Sequence, residues 1–207
     1  MPDAASLTLP ERLYLLTYDA ERNRFGASGE RGALVRAAAL TQLLAAGALK
    51  DEDGRVVAVP RARVTDPFLA QVLAEVAEHT GRPRRWQTWV GRRAGKANRQ
   101  VRDALAGARW IRVEERTLLP ARVTPRDPRA VRKLVDATRA VLRAPRLDTA
   151  DRTDADALGL AAAARLRTVV SRAEAKQHKE RLDAVTGPPA KGLRKAIDAQ
   201  HAAAASG

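Results

Sequence analysis

Two arginines three residues apart, Arg99 and Arg102, stand on a segment whose apolar residues recur at helical spacing. Residues three apart are neighbours on a helix surface. Two guanidinium forks this close can grip one phosphate from two sides, each through paired N–H donors. Lys96 lies one further step of three back along the same side. The bland alternative is a solvated helix face. Ser28-Gly29-Glu30-Arg31-Gly32 offers complementary features just before a second helical segment. Its glycines permit tight backbone turns, the N–H groups that open a helix attract anions, and Arg31 adds charge.

Other chemistry finds less support. Gly91-Arg-Arg-Ala-Gly95-Lys96 is one residue short of a phosphate loop, puts Ala97 where a metal-binding hydroxyl belongs, and follows no apolar strand. Asp148, Asp151, Asp154 and Asp156 gather before a helix, where acids serve as caps and dipole partners rather than metal ligands. His79, His178 and His201 have no serine or carboxylate motif around them, and no cysteine is present. No nucleophile elbow, zinc motif or dinucleotide fingerprint is present. No catalytic residue, metal or cofactor is therefore assigned, and the expectation is a binding protein, not an enzyme.

The charge balance directs attention to the same region. The 207 residues carry a net charge of +14, and residues 82–133 alone hold 14 Arg and 2 Lys against four acids, a net +12. A field concentrated in this way attracts nucleic acid, anionic lipid or another polyanion. A GC-rich genome explains Arg in place of Lys, but not this local imbalance of sign. Nowhere do about 18 apolar residues run together, so no membrane-spanning helix is expected. The N-terminus lacks the basic start and apolar stretch of a signal peptide.

Aromatic residues make up only 3% while alanine is abundant, a balance that favours helices over sheets. The expected fold is all-α: a mainly helical bundle core surrounded by amphipathic helices, with one or two short β-hairpins, in a single domain over residues 1–207. Leu9-Pro10-Glu11 opens the first helix, which carries Leu13, Tyr14 and Leu16 and ends by Asp19; a polar loop runs from there to Glu30. The next helix covers about residues 33–46, with Gly47 as its C-terminal cap. Residues 49–64 alternate around Asp53-Gly54 as a hairpin, with Val57 and Val59 on one face. Asp66-Pro67 starts a helix that closes near Gly81, and Trp86 and Trp89 share a face of a short element, as core residues. The basic helix spans residues 96–107, and a second hairpin follows at 110–123. Further helices are expected at about 129–143, 154–170, 172–185 and 190–204, with 202–207 frayed. The run Leu158-Gly-Leu-Ala-Ala-Ala-Ala is apolar all round, as a helix at a bundle centre is.

In this order the elements resemble a known family. Leu7-Thr-Leu-Pro-Glu-Arg-Leu-Tyr-Leu-Leu, Ser28-Gly-Glu-Arg-Gly-Ala-Leu and Leu43-Leu-Ala-Ala-Gly-Ala-Leu resemble the opening of the Golgi phosphoprotein 3 family. Asn98-Arg-Gln-Val-Arg-Asp-Ala-Leu-Ala-Gly looks like its basic helix, and the run from Leu158 like its late core helix. The resemblance implies a helical bundle that binds phosphatidylinositol 4-phosphate peripherally and acts as an adaptor. It also implies that Arg31, Arg99 and Arg102 hold the headgroup. Where the family has a loop tryptophan, this chain has a shorter loop with Phe25, near Arg22 and Arg24. The hairpin tip Asp51-Glu-Asp-Gly is too acidic to enter lipid. The composition suggests a bacterium without a Golgi, so the role of retaining glycosyltransferases need not carry over.

The expected function is thus a cytoplasmic, peripheral membrane protein whose partner is an anionic phospholipid membrane displaying an inositol phospholipid. Its anion site comprises Arg31, Arg99 and Arg102, with Phe25, Ser28, Gly29 and Lys96 beside them. Homo-oligomerisation and the protein client stay open. The alternative is a winged-helix-like DNA-binding protein using residues 82–133, since helix, basic helix and hairpin follow one another there.

Overall fold

Thr8 starts the first helix through a capping box. Its hydroxyl accepts the Glu11 N–H, and the Glu11 carboxylate accepts the Thr8 N–H at 2.9 Å. The computed structural model describes residues 4–27, 29–117, 121–147 and 150–206. Helix α1 (Leu9–Leu16) buries Leu13, Tyr14, Leu15 and Leu16 completely.

The chain then turns back through β1 (Tyr18–Asp19) and β2 (Arg24–Phe25), paired antiparallel with Tyr18 opposite Phe25. This hairpin lies in the segment expected to be a plain polar loop, and it makes three short hairpins among the described residues where one or two were expected. Strands of two residues are too short to show any alternation. Asn23, in the left-handed region at φ 47°, accepts a hydrogen bond from the Tyr18 hydroxyl at 2.8 Å and closes the turn.

Helix α2 (Arg31–Ala45) starts two residues earlier than expected, so Arg31 belongs to the helix and not to the loop before it. Almost every residue from Arg31 to Leu40 is buried, because α1, α3, α4, α5, α7 and α10 all pack against α2. It ends in a Schellman motif. Gly47 (φ 69°) donates to the Leu44 carbonyl and Ala48 to that of Leu43, at 3.0 and 2.9 Å.

Strands β3 (Leu49–Glu52) and β4 (Arg55–Ala58) form the expected hairpin, with Asp53 and Gly54 both left-handed at φ 50° and 76°. Val57 and Val59 share the outer face, and Val56 is the inward residue: pairing Leu49 with Ala58 and Asp51 with Val56 turns that face to the core. Asp51 leaves the acidic tip to accept the Trp86 indole N–H at 2.6 Å.

Asp66 caps α3 (Pro67–Ala77) and is followed by α4 (Trp86–Gly91) and α5 (Ala94–Gly107). Trp86 and Trp89 are core residues. Strands β5 (Ile111–Glu114) and β6 (Arg122–Pro125) make the third hairpin, and Asp127 caps α6 (Pro128–Ala140).

Helix α7 (Arg152–Ala163) stops seven residues short of the expected end. Its residues from Ala157 to Ala161 are buried, as a bundle-centre helix requires. It terminates at Arg165, left-handed at φ 53°, with Leu166 N–H bonded to the Ala161 carbonyl and Arg165 N–H to that of Ala162. The single helix expected over 172–185 is two, α8 (Arg172–Gln177) and α9 (Lys179–Val185), broken at His178. Helix α8 buries no residue and α9 only Leu182, so little packing holds the two in line. Helix α10 (Pro188–Ala205) packs against α2, α4 and α7 and runs on to Ala205 with exposed side chains from Gln200. Among the described residues, no helix is long and apolar enough to cross a membrane.

Candidate anion site

Arg31 is 7% exposed and forms no ion pair among the described residues. It donates from Nη1 to the Tyr14 hydroxyl at 3.1 Å and from Nη2 to the Gly26 carbonyl at 2.8 Å. Its guanidinium carbon lies 4.9 Å from the centre of the Tyr14 ring and 5.7 Å from that of Phe25. The Nε–H is buried with no acceptor. Phe25 is half-buried, its ring 5.3 Å from Tyr14 and 5.2 Å from Tyr18, so two aromatic rings flank the cation and Tyr18 backs one of them.

Arg36, five residues on, is the informative contrast. It is 1% exposed, and Glu75 answers it across 3.0 Å while the Trp89 carbonyl accepts its Nε and Nη2. Burial draws the Arg36 pKa below its ordinary value, and Glu75 opposes that shift. Burial also works to raise the Glu75 carboxyl. The hydrogen bond from Gln71 and the charge of Arg36 outweigh it and hold the group below the usual range. A buried charge is costly unless it is paired, because desolvation costs of order several kcal/mol per ion. Arg36 meets that condition and Arg31 does not.

The segment before Arg31 is a turn whose Ala27 carbonyl accepts both the Glu30 and the Arg31 N–H groups, at 3.1 and 2.7 Å. The left-handed residue there is Ala27 (φ 52°), not Gly29. Gly29 is exposed and faces α10: a Cβ there would lie 3.9 Å from Gln200. Ser28 lies outside the described residues. Gly32 serves packing, since a Cβ on it would sit 2.3 Å from the Ala94 carbonyl oxygen. That contact sets the start of α5 directly against the start of α2. No side chain caps the N-terminus of α2; Glu30 meets His201 at 2.6 Å instead.

Helix α5 packs against α1 and α2, the two helices that hold Arg31. Ala97, Val101 and Leu105 form its buried stripe. Lys96 and Arg99 are exposed and bonded to no described residue, while the half-buried Arg102 pairs with Asp103 at 2.9 Å. Arg99 follows Ala94 by about 7.5 Å along the axis. The three arginines are bonded to one another nowhere among the described residues; α1, α2 and α5 supply their common scaffold.

The acids at the cap and in the first turns of α7 have structural partners. Asp151 accepts the Asp154 N–H as a cap, Asp154 pairs with Arg12 and Asp156 with Arg152; Asp148 lies outside the described residues. Gly91 to Lys96 joins two helices and is no strand-to-helix phosphate loop. Sequence reasoning missed Tyr14, whose only signal was a tyrosine within a leucine-rich stripe.

The family model of Golgi phosphoprotein 3 matches residues 9–200. The chain belongs to the Golgi phosphoprotein 3 family. That match takes in α1 through most of α10, and with them Arg31, Arg99 and Arg102. No curated protein matches significantly. At family level the chain is therefore a Golgi phosphoprotein-like protein, of the kind the resemblance ties to inositol phospholipid and adaptor work.

Proposed function

We propose that this Golgi phosphoprotein 3 family member is a peripheral membrane adaptor that takes an inositol phospholipid headgroup of the phosphatidylinositol 4-phosphate type between Arg31, Arg99 and Arg102. One observation carries the reading: Arg31 is buried, incompletely hydrogen-bonded and without a counter-ion among the described residues, while Arg36 on the same helix has one. A phosphate supplies the missing charge. Arg99, exposed and unpaired, supplies a second fork from the helix packed against α2. Charge-assisted hydrogen bonds contribute roughly 1.5–3 kcal/mol each. Each Lys or Arg near an anionic surface adds about 1 kcal/mol. Phe25 stands where the family has a tryptophan, and it packs beside Arg31 as part of the pocket wall. The reading assigns no catalytic step and places the protein on the cytoplasmic face of a membrane.

The winged-helix alternative has α4, α5 and the β5–β6 hairpin in the required order. It gives the buried Arg31 no role, and the lipid reading is preferred for that reason. Liposome flotation with and without phosphatidylinositol 4-phosphate, run beside a DNA shift assay, tests the choice. Flotation is expected to need anionic lipid and to weaken steeply with salt, since exposed charges are screened beyond about 8 Å at physiological ionic strength. Salt-insensitive binding to neutral liposomes, or tighter binding to DNA than to phosphoinositide liposomes, contradicts it.

A further inference from the structure

The turn between α4 and α5 holds more positive charge than its one carboxylate can answer. Glu75 is bonded to Arg36 at 3.0 Å and to Arg93 at 3.2 Å, with Arg92 at 3.9 Å. Arg36 and Glu75 are both buried, at 1% and 8% side-chain exposure, and neutralise each other. Arg92 and Arg93 are 40% and 52% exposed and lie at the rim of that finished pair. They are surplus cations, yet they are held in place. Arg92 sits 5.7 Å over the Trp89 ring, and Arg93 takes a left-handed backbone at φ 50°. That conformation disfavours any residue with a Cβ by roughly 1–2 kcal/mol.

Two further observations point outward from the protein. From Trp86 to Arg102 the sequence contains no acid, while Arg93, Lys96, Arg99 and Arg102 recur at every third position. On α5 that spacing sets Lys96, Arg99 and Arg102 in neighbouring positions over about 9 Å of axis, with the left-handed Arg93 just before the helix. Gly91 and Gly95 flank the turn without left-handed φ, and nothing lies within 4 Å of a Cβ built on either. Neither packing nor backbone conformation calls for glycine there, and the space above the turn is open.

We propose that Arg92, Arg93 and Lys96 form a second anion subsite that docks on the phosphates of a bilayer rich in anionic phospholipid, beside the headgroup held by Arg31. The inference deepens the lipid reading and rests on it. The occupant follows from charge complementarity: Arg92 and Arg93 share with Arg36 a single carboxylate, Glu75, and Lys96 pairs with no described acid, so the exposed surplus of positive charge matches a plane of phosphates. A headgroup pocket with a non-selective subsite beside it would let one molecule read two lipids at once.

The test uses the full chain, vesicles of phosphatidylcholine with phosphatidylserine, and a short-chain soluble phosphatidylinositol 4-phosphate. Arg92→Ala/Arg93→Ala is compared with Lys176→Ala/Lys179→Ala, which removes equal charge from exposed positions on α8 and α9. The first pair is expected to weaken phosphatidylserine-vesicle binding about tenfold or more, leave binding of the soluble lipid unchanged and keep the melting temperature. Lys96→Ala, at an exposed and unpaired residue, is expected to give part of that loss. The control pair is expected to change nothing. Equal losses from both pairs, no loss from either, or loss of soluble-lipid binding from Arg92→Ala/Arg93→Ala overturns the subsite. Wild-type protein that binds phosphatidylserine vesicles through Arg92 and Arg93 but ignores the soluble phosphoinositide instead overturns the headgroup reading and leaves the subsite standing.

Discussion

Arg31 and Arg36 lie on one helix, both buried, and Glu75 neutralises only Arg36. The two positions make opposite predictions for stability. Glu75→Gln leaves Arg36 buried and unanswered and is expected to cost about 3–5 kcal/mol. Arg31→Met removes a charge that no described acid answers and is expected to be neutral or stabilising. Urea unfolding midpoints of the two variants check this; a loss at Arg31→Met as large as that at Glu75→Gln counts against an unpaired Arg31.

Two glycines mark close helix approaches. Gly32→Ala would force a methyl group against the Ala94 carbonyl, and Gly159→Ala against that of Val185, each at 2.3 Å. Each is expected to cost about 1–3 kcal/mol. Gly107→Ala, with nothing within 4 Å of the new methyl, is expected to be neutral or to stabilise α5 by up to about 1 kcal/mol. Thermal melting of the three variants distinguishes packing from general intolerance of substitution.

Glu174 gives a pH dependence with a definite sign. The Arg139 side chain at 2.8 Å, and Ser171 through its N–H and hydroxyl, lower its pKa to about 2. A carboxylate depressed in the folded state adds stability above its unfolded pKa and loses it as pH falls through the folded one. The contribution is thus complete above about pH 4.5 and fades towards pH 2. Glu174→Gln is expected to remove it: the gap in urea midpoint between wild type and variant should close between pH 5 and pH 2.5. A gap that stays constant with pH contradicts the ion pair.

Helix starts were easy to read because their caps are local and chemically distinctive. Thr8 with Glu11, Asp66-Pro67 and Asp127-Pro128 each bond to N–H groups within three residues. Helix ends were less evenly legible: residue 107 was the end expected for α5 and is its end, whereas α7 stops short of 170. The Schellman motif after α2 uses Gly47, but those after α5 and α7 put Arg109 and Arg165 in the left-handed position, at φ 61° and 53°. Nothing in an arginine announces that geometry, and the 154–170 helix was drawn too long for this reason. Arg99 and Arg102 could be paired from spacing alone. The burial of Arg31 against Tyr14 and Phe25 could not, since it depends on a two-residue hairpin and on α1 lying across α2.

The central claim is that Arg31, Arg99 and Arg102 act on one headgroup, and vesicles matched in total charge, with and without phosphatidylinositol 4-phosphate, test it most directly. Arg31→Met and Arg99→Glu are expected to abolish the preference for the phosphoinositide vesicles while the protein stays folded. Arg126→Glu, at an exposed residue beyond the β5–β6 hairpin, is expected to weaken binding to both kinds of vesicle alike and leave the preference intact. Should Arg31→Met keep the preference, or should Arg99→Glu and Arg126→Glu lower binding equally on both vesicles, there is no headgroup pocket and only a basic surface remains.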